Sequence, residues 1–261
     1  MTDPHQRDHL SHGATDSNGT PWAGRQFEPN SAADDDGSAP ERLIEAIRRF
    51  RAAELGEAEV LDALRESRLL IPLVAQLGDA AVGDHGLTVD KSAELAIVTV
   101  AAPDGRSILP AFSSVDSMRA WNPKARPVPA DAVRVALAAA GEKTDLVVLD
   151  PTSATEFVIR RPALWSVAQS QPWTPSYRDP EVQHRFDESV AAESDVAAVR
   201  LLAGDPDARL AGPELAVQLA LRPGLDQPSL AALLGRLQQR WAADDVIATR
   251  VDSLGLTVVA A

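Results

Sequence analysis

The chain contains no cysteine. Disulfides, thiolate metal sites, iron–sulfur clusters and cysteine nucleophiles are therefore excluded outright. Lysine is scarce as well, occurring only as Lys91, Lys124 and Lys143 among 25 basic residues. Against 38 acidic side chains the formal net charge is −13. Nucleic-acid backbones and anionic membranes both demand concentrated positive charge, so neither is expected as the partner. No apolar run approaches the ~20 residues of a spanning helix, and the first residues, MTDPHQRDHLSHG, have no apolar core for a secretory leader. A soluble cytoplasmic protein is the simplest expectation.

Motifs are also missing. The chain has no hydrolase nucleophile elbow, Gly-rich phosphate loop, dinucleotide fingerprint or HExxH helix. Outside the N-terminal tail the only histidines are His85 and His184. His184 lies in a polar helical stretch and reads as a solvated side chain. A Ser–His–acid site would need His85 beside Ser113 or Ser114, and no spacing suggests it. Asp79, Asp84, His85 and Asp90 crowd one loop, but without a fixed ligand spacing. No catalytic residue, metal or cofactor is expected.

The 261 residues suffice for two modest domains. Residues 1–39 are polar, acidic and turn-rich, and read as a disordered tail in which Trp22, Arg25 and Phe27 stand out as partner anchors. Residues 40–164 read as an α/β domain. Pro40 opens a helix whose Leu43, Ile44, Ile47 and Phe50 share a face, and a second helix carries Val60, Leu61 and Leu64. Leu69–Val74 is a short apolar strand; Pro72, which has no N–H to donate, places it at a sheet edge or ends it early. Glu94–Ala102 reads as one β-branched strand. Pro103-Asp104-Gly105-Arg106 is a hairpin turn returning through Ser107–Phe112, and Ser113 or Ser114 caps a helix Val115–Trp121.

Further on, Arg126–Pro129 is extended, Asp131–Ala140 is a helix, and Leu146–Leu149 and Glu156–Arg160 are strands. Residues 165–194 form a linker with a polar helix. Residues 195–261 read as a ββαβ domain: strands Val196–Ala203 and Leu215–Leu221, a helix capped by Ser229, then strands Val246–Val251 and Leu256–Val259. The fold class is α/β of the α+β type: two small mixed-sheet domains with helices packed on the sheets.

Several stretches carry a family resemblance through their order. They are Pro21–Arg25 with the Asp34–Gly37 run; Leu69–Val74; Pro103–Arg106 followed by Leu109-Pro110-Ala111-Phe112-Ser113-Ser114 and Trp121; Ala125–Pro129; and Leu149-Asp150-Pro151. In these the chain resembles the SseB family of bacterial proteins, and is similar to its actinobacterial members. The central motifs cover about residues 43–164, and the C-terminal unit resembles the second SseB domain. The family name refers to a phenotype, enhanced serine sensitivity, so the resemblance brings no active-site residue with it. A rhodanese-type sulfurtransferase, which shares the label, needs a persulfide-bearing cysteine and is excluded.

The leading expectation is a non-catalytic interaction or regulatory module with a protein partner. Trp22, Phe27, Trp165, Trp173 and Tyr177 lie in tail or linking segments, where rings serve as anchors; the alternative use of Trp165 and Trp173 is to fill the seam between domains. A second reading is binding of a small polar metabolite, such as an amino acid, between the domains, with Arg126 and Arg160 as carboxylate clamps. A third is an enzyme using the carboxylates of the Asp79–Asp90 loop.

Overall fold

The computed structural model describes residues 35–77, 93–102 and 105–261. The expected disordered tail with Trp22, Arg25 and Phe27, and the loop with Asp79, Asp84, His85 and Asp90, lie outside the described residues.

Two amphipathic helices come first. In α1 (Glu41–Arg51), Leu43, Ala46 and Ile47 turn inward and the arginines of the last turn complement the helix dipole. In α2 (Glu57–Arg65), Val60, Leu61 and Leu64 are buried, and Glu59 accepts from the Gly56 N–H. The chain then runs through β1 (Arg68–Leu77), β2 (Ala93–Ile97), β3 (Val100–Ala101), β4 (Ser107–Ala111), α3 (Val115–Trp121), β5 (Arg126–Asp131), α4 (Ala132–Gly141), β6 (Leu146–Leu149), β7 (Phe157–Ile159) and α5 (Arg161–Ala168). A 3-10 turn (Ser176–Arg178) leads to α6 (Pro180–Val190), β8 (Val196–Ala203), β9 (Leu215–Leu221), α7 (Gln227–Ala242), α8 (Asp245–Arg250) and β10 (Leu254–Ala260). The fold is α+β.

Among the described residues the strands form three sheets, ordered β2-β1-β5, β3-β4-β6-β7 and β10-β9-β8. The first is antiparallel; the others are mixed, with β4 parallel to β6 and β9 parallel to β10. Residues Leu70 and Phe112 exchange backbone hydrogen bonds and join the first two sheets. Alternation along β6 shows that its sheet is covered on both faces. Val147 and Leu149 enter the main apolar cluster with Leu43, Leu69 and Leu109, whereas Leu146 and Val148 join Ile108 and Val158 on the other side. The C-terminal half has its own cluster, built from Val182, Phe186, Leu215, Val217, Leu219, Leu233, Leu237 and Trp241. Both clusters lie within the compact unit Gly37–Ala261.

Four local expectations are corrected. Strand β1 is central, not an edge: it pairs with β5 over Arg68–Leu73 and with β2 over Leu73–Leu77. Because Leu70 spends its own N–H and C=O on Phe112, its pair with Pro129 is a non-hydrogen-bonded one, and so is Pro72 with Pro127 two residues on. None of these prolines costs the β1–β5 ladder a bond. Glu94–Ala102 is not one strand; it divides into β2 and β3, which belong to different sheets. Val246–Val251 is not a strand but contains most of α8, in whose first turn the N–H groups of Val246 and Ile247 donate to Asp244 Oδ1, each at 2.9 Å. Helix α7 begins earlier than expected, and its cap is Asp226, which accepts from the Ser229 N–H. The hairpin β3–β4 stands as expected, with Gly105 at φ +86° closing its turn. Ser114 caps α3 by accepting from the Ser117 N–H.

Candidate functional site

Three places gather polar or aromatic groups. The first lies at the carboxyl ends of the parallel pair β4 and β6, where open α/β sheets commonly hold ligands. Ser113 and Asp150 follow these strands. Asp150 is fully buried; its Oδ1 accepts from the Ser113 N–H at 2.8 Å and its Oδ2 from the hydroxyls of Ser113 (2.6 Å) and Thr155 (2.8 Å). The family-like stretches LPAFSS and LDP thus meet in space. A serine bonded to a carboxylate has part of a nucleophile's equipment, but Ser113 is only 1 % exposed and gives its proton straight to Asp150. The cluster ties two strand ends together.

The second place is the junction between the halves. Arg160, 6 % exposed, donates through Nη2 to Asp205 Oδ2 (2.7 Å) and the Gly212 carbonyl (2.9 Å), and through Nη1 to Asp252 Oδ2 (3.2 Å) and Ser253 Oγ (3.3 Å). Arg106 also reaches Asp252, at 2.9 Å. The loop between β8 and β9 presents Asp205. It folds back so closely at Gly204 that a Cβ there would stand 2.3 Å from the Pro213 carbonyl oxygen. Its Ala208 carbonyl accepts from the Val158 N–H of β7, and Leu210 packs on the outer cluster. Beside it, Tyr177 donates to Glu57 Oε1 at 3.1 Å, and Glu214 accepts from the Asp252 N–H. Burial, followed by the like charge of Glu214, pushes the Glu57 carboxyl up to about 7, against the Tyr177 hydrogen bond. Burial likewise raises Glu214. It also raises Tyr177, which therefore remains a donor.

The third place is the surface around Trp165. This ring is 44 % exposed and does not fill a seam, whereas Trp173 is half-buried against the main cluster. A groove of about 320 Å³ runs along α4 and α5, floored by Ala136, Ala139 and Leu164 and walled by Trp165, with Lys143 and Arg161 at its rim. A second, of about 450 Å³, opens on the other side of Trp165, among Pro162, Gln169, Pro172 and Trp173. Arg161 lies over the Trp165 ring, 5.0 Å from its centroid, and donates to the Ala248 and Val251 carbonyls at 2.8 Å. The cation–π contact favours this placement of the ring. Lys143 makes no ion pair among the described residues. By contrast, the groove between α1 and α2 carries Glu41, Glu45, Glu59, Asp62 and Glu66 against Arg42 and Arg49.

Of the two arginines expected to clamp a ligand, Arg160 does bind carboxylates, but those of its own chain. Arg126 is exposed on β5, opposite Leu73, in a different sheet. His184 is exposed on α6, 3.3 Å from Glu188. Sequence reasoning missed Asp205, Glu214, Asp252 and Glu57, because acids in turns and helix starts look alike until the chain is folded. Among the described residues no cluster of three or more His, Asp or Glu has the geometry to hold a metal ion, and no helix is long and apolar enough to cross a membrane.

Fold and site together define an α+β scaffold in which Asp150 and Arg160 organise internal polar clusters and whose surface carries an exposed tryptophan lining two grooves. Residues 41–166 match the family model described as the SseB protein N-terminal domain, a match that supports assigning the chain to the SseB family. No curated protein and no solved structure matches the chain.

Proposed function

We propose that the protein is a non-catalytic cytoplasmic interaction module that engages another protein through the Trp165 face. The observation that carries this reading is the ring itself: large, 44 % exposed and biased toward one placement by Arg161. A pre-positioned aromatic offers contact area without the ordering cost that a mobile side chain adds. Charge complementarity defines the partner. The α4–α5 groove has Lys143 and Arg161 against Asp145 on an otherwise acidic protein, so it suits a segment placing an apolar side chain on Trp165 with carboxylates beside it. The Asp150 and Arg160 clusters support a non-catalytic role, since the acids and hydroxyls in them are spent on internal bonds.

Photo-crosslinking in living cells tests the proposal. A benzoylphenylalanine at Gln169, beside the groove, is expected to give a discrete protein adduct that the same probe at Gln239 on α7 does not. Trp165→Ala should abolish that adduct while changing stability by no more than about 0.5 kcal/mol, as surface substitutions do. An adduct that survives Trp165→Ala, or one equally strong from position 239, would refute the assignment.

A further inference from the structure

The junction between the halves holds more carboxyls than cations. Glu57, Asp205, Glu214 and Asp252 gather there against the guanidiniums of Arg160 and Arg106. Asp205 and Asp252 take both guanidiniums. Glu57 is left with the Tyr177 hydroxyl and Glu214 with one backbone N–H, among the described residues. Among the described residues Glu214 Oε1 and Ser176 Oγ, in residues 6 % and 0 % exposed, are buried without a well-formed hydrogen bond; the Ser176 hydroxyl lies near the Glu214 carboxyl but makes no close bond to it. Two carboxylates in such a place lack the countercharge that buried ions require.

We propose that Glu57 and Glu214 form a proton-operated clasp between α2 and the C-terminal half, closed while the pair carries its protons and loosened when they are lost. A protonated carboxyl removes the unpaired charge and gains an O–H to donate, which a carboxylate lacks. The groups facing Glu57 come from every neighbouring element: Tyr177 and Arg178 on the 3-10 turn, Glu214 before β9, Arg160 after β7 and Asp205 after β8. Asp252 faces Glu214 from the end of α8, and Glu59 on α2 is occupied by the Gly56 N–H. Of these cations Arg160 is spent on Asp205 and Asp252, and Arg178 is exposed, lying over the Tyr177 ring.

The direction of the pH effect follows. Both carboxyls are raised in the folded chain, so the stability they confer is present at acid pH and is lost as pH rises to about 7, where Glu57 titrates. Glu45, Glu193 and Asp226 are lowered by their hydrogen-bonding partners and act the other way, but below the ordinary carboxyl range.

Denaturant unfolding of the full chain from pH 5 to 8, at constant ionic strength, tests the clasp. The wild-type unfolding constant should rise about tenfold per pH unit for each proton involved up to pH 7. Glu57→Gln should remove one of those steps. Tyr177→Phe, which deletes the hydrogen bond favouring ionised Glu57, should move the loss to higher pH. Amide exchange at residues 56–61 and 176–179 should quicken across the same range more than its intrinsic pH dependence. A Glu57→Gln slope as steep as wild type overturns the clasp, as does a Tyr177→Phe profile unmoved in pH. It is equally overturned if replacing sodium by tetramethylammonium at pH 8 destabilises the wild type alone, because a bound cation then takes the protons' place.

Discussion

Asp150 combines zero exposure, a left-handed backbone at φ +45° and three accepted hydrogen bonds. Aspartate tolerates that conformation better than most residues, and its short carboxylate reaches both Ser113 and Thr155. Asp150→Ala would strand one buried N–H and two hydroxyls. At ~1–3 kcal/mol for each group left unpaired, a loss of at least ~3 kcal/mol is expected in chemical denaturation. Ser113→Ala, which keeps the carboxylate and its other donors, should cost about 1 kcal/mol. The sequence singles out Ser113 and Leu149-Asp150-Pro151 as separate stretches. That they bond to each other follows from β4 lying parallel beside β6, a neighbour relation no local pattern encodes.

Elements were legible where one local signal dominated. Helix α3 carries its cap at Ser114, and α4 its cap at Asp131, accepting from the Arg134 N–H at 2.8 Å. Where two signals compete, the stronger bond decides. Val246, Ile247 and Thr249 are β-branched and favour a strand. Asp244 nevertheless satisfies two N–H groups of a helix start, and Ile247 alone of α8 needs burial. Helix α7 has two candidate caps, Asp226 and Ser229. The carboxylate of Asp226 accepts the Ser229 N–H at 2.9 Å, which puts Ser229 inside the first turn. Asp226→Ala should therefore lower stability by about 1 kcal/mol, and Ser229→Ala by a few tenths. Melting both variants beside the wild type at neutral pH separates the two, and equal losses would return the cap to Ser229.

At the scale of the molecule, the halves are joined by charge as well as by apolar contact. Arg160 belongs to the N-terminal half, while Asp205, Gly212, Asp252 and Ser253 belong to the other. Removing one partner of a buried ion cluster leaves the rest uncompensated, so Arg160→Ala should cost ~3–5 kcal/mol. Arg160→Lys should recover only part of this, because one ammonium cannot span two carboxylates as a guanidinium does. Urea unfolding of both variants measures the difference; full recovery by lysine would mean that charge alone matters there. The exposed Trp165 is the complementary case, expected to matter for association and hardly at all for folding.

Composition and periodicity alone determined the absence of thiol chemistry, the acidic character, the α+β class and most helix and strand positions, since these depend on residue types and on spacings of a few positions. The tertiary structure decided which strands are neighbours, that Arg160 spends itself on internal acids, that part-buried Glu57 and buried Glu214 meet at one junction, and that Trp165 faces outward. Each of those is a meeting of side chains dozens of residues apart, set by how sheets and helices pack rather than by any run of sequence.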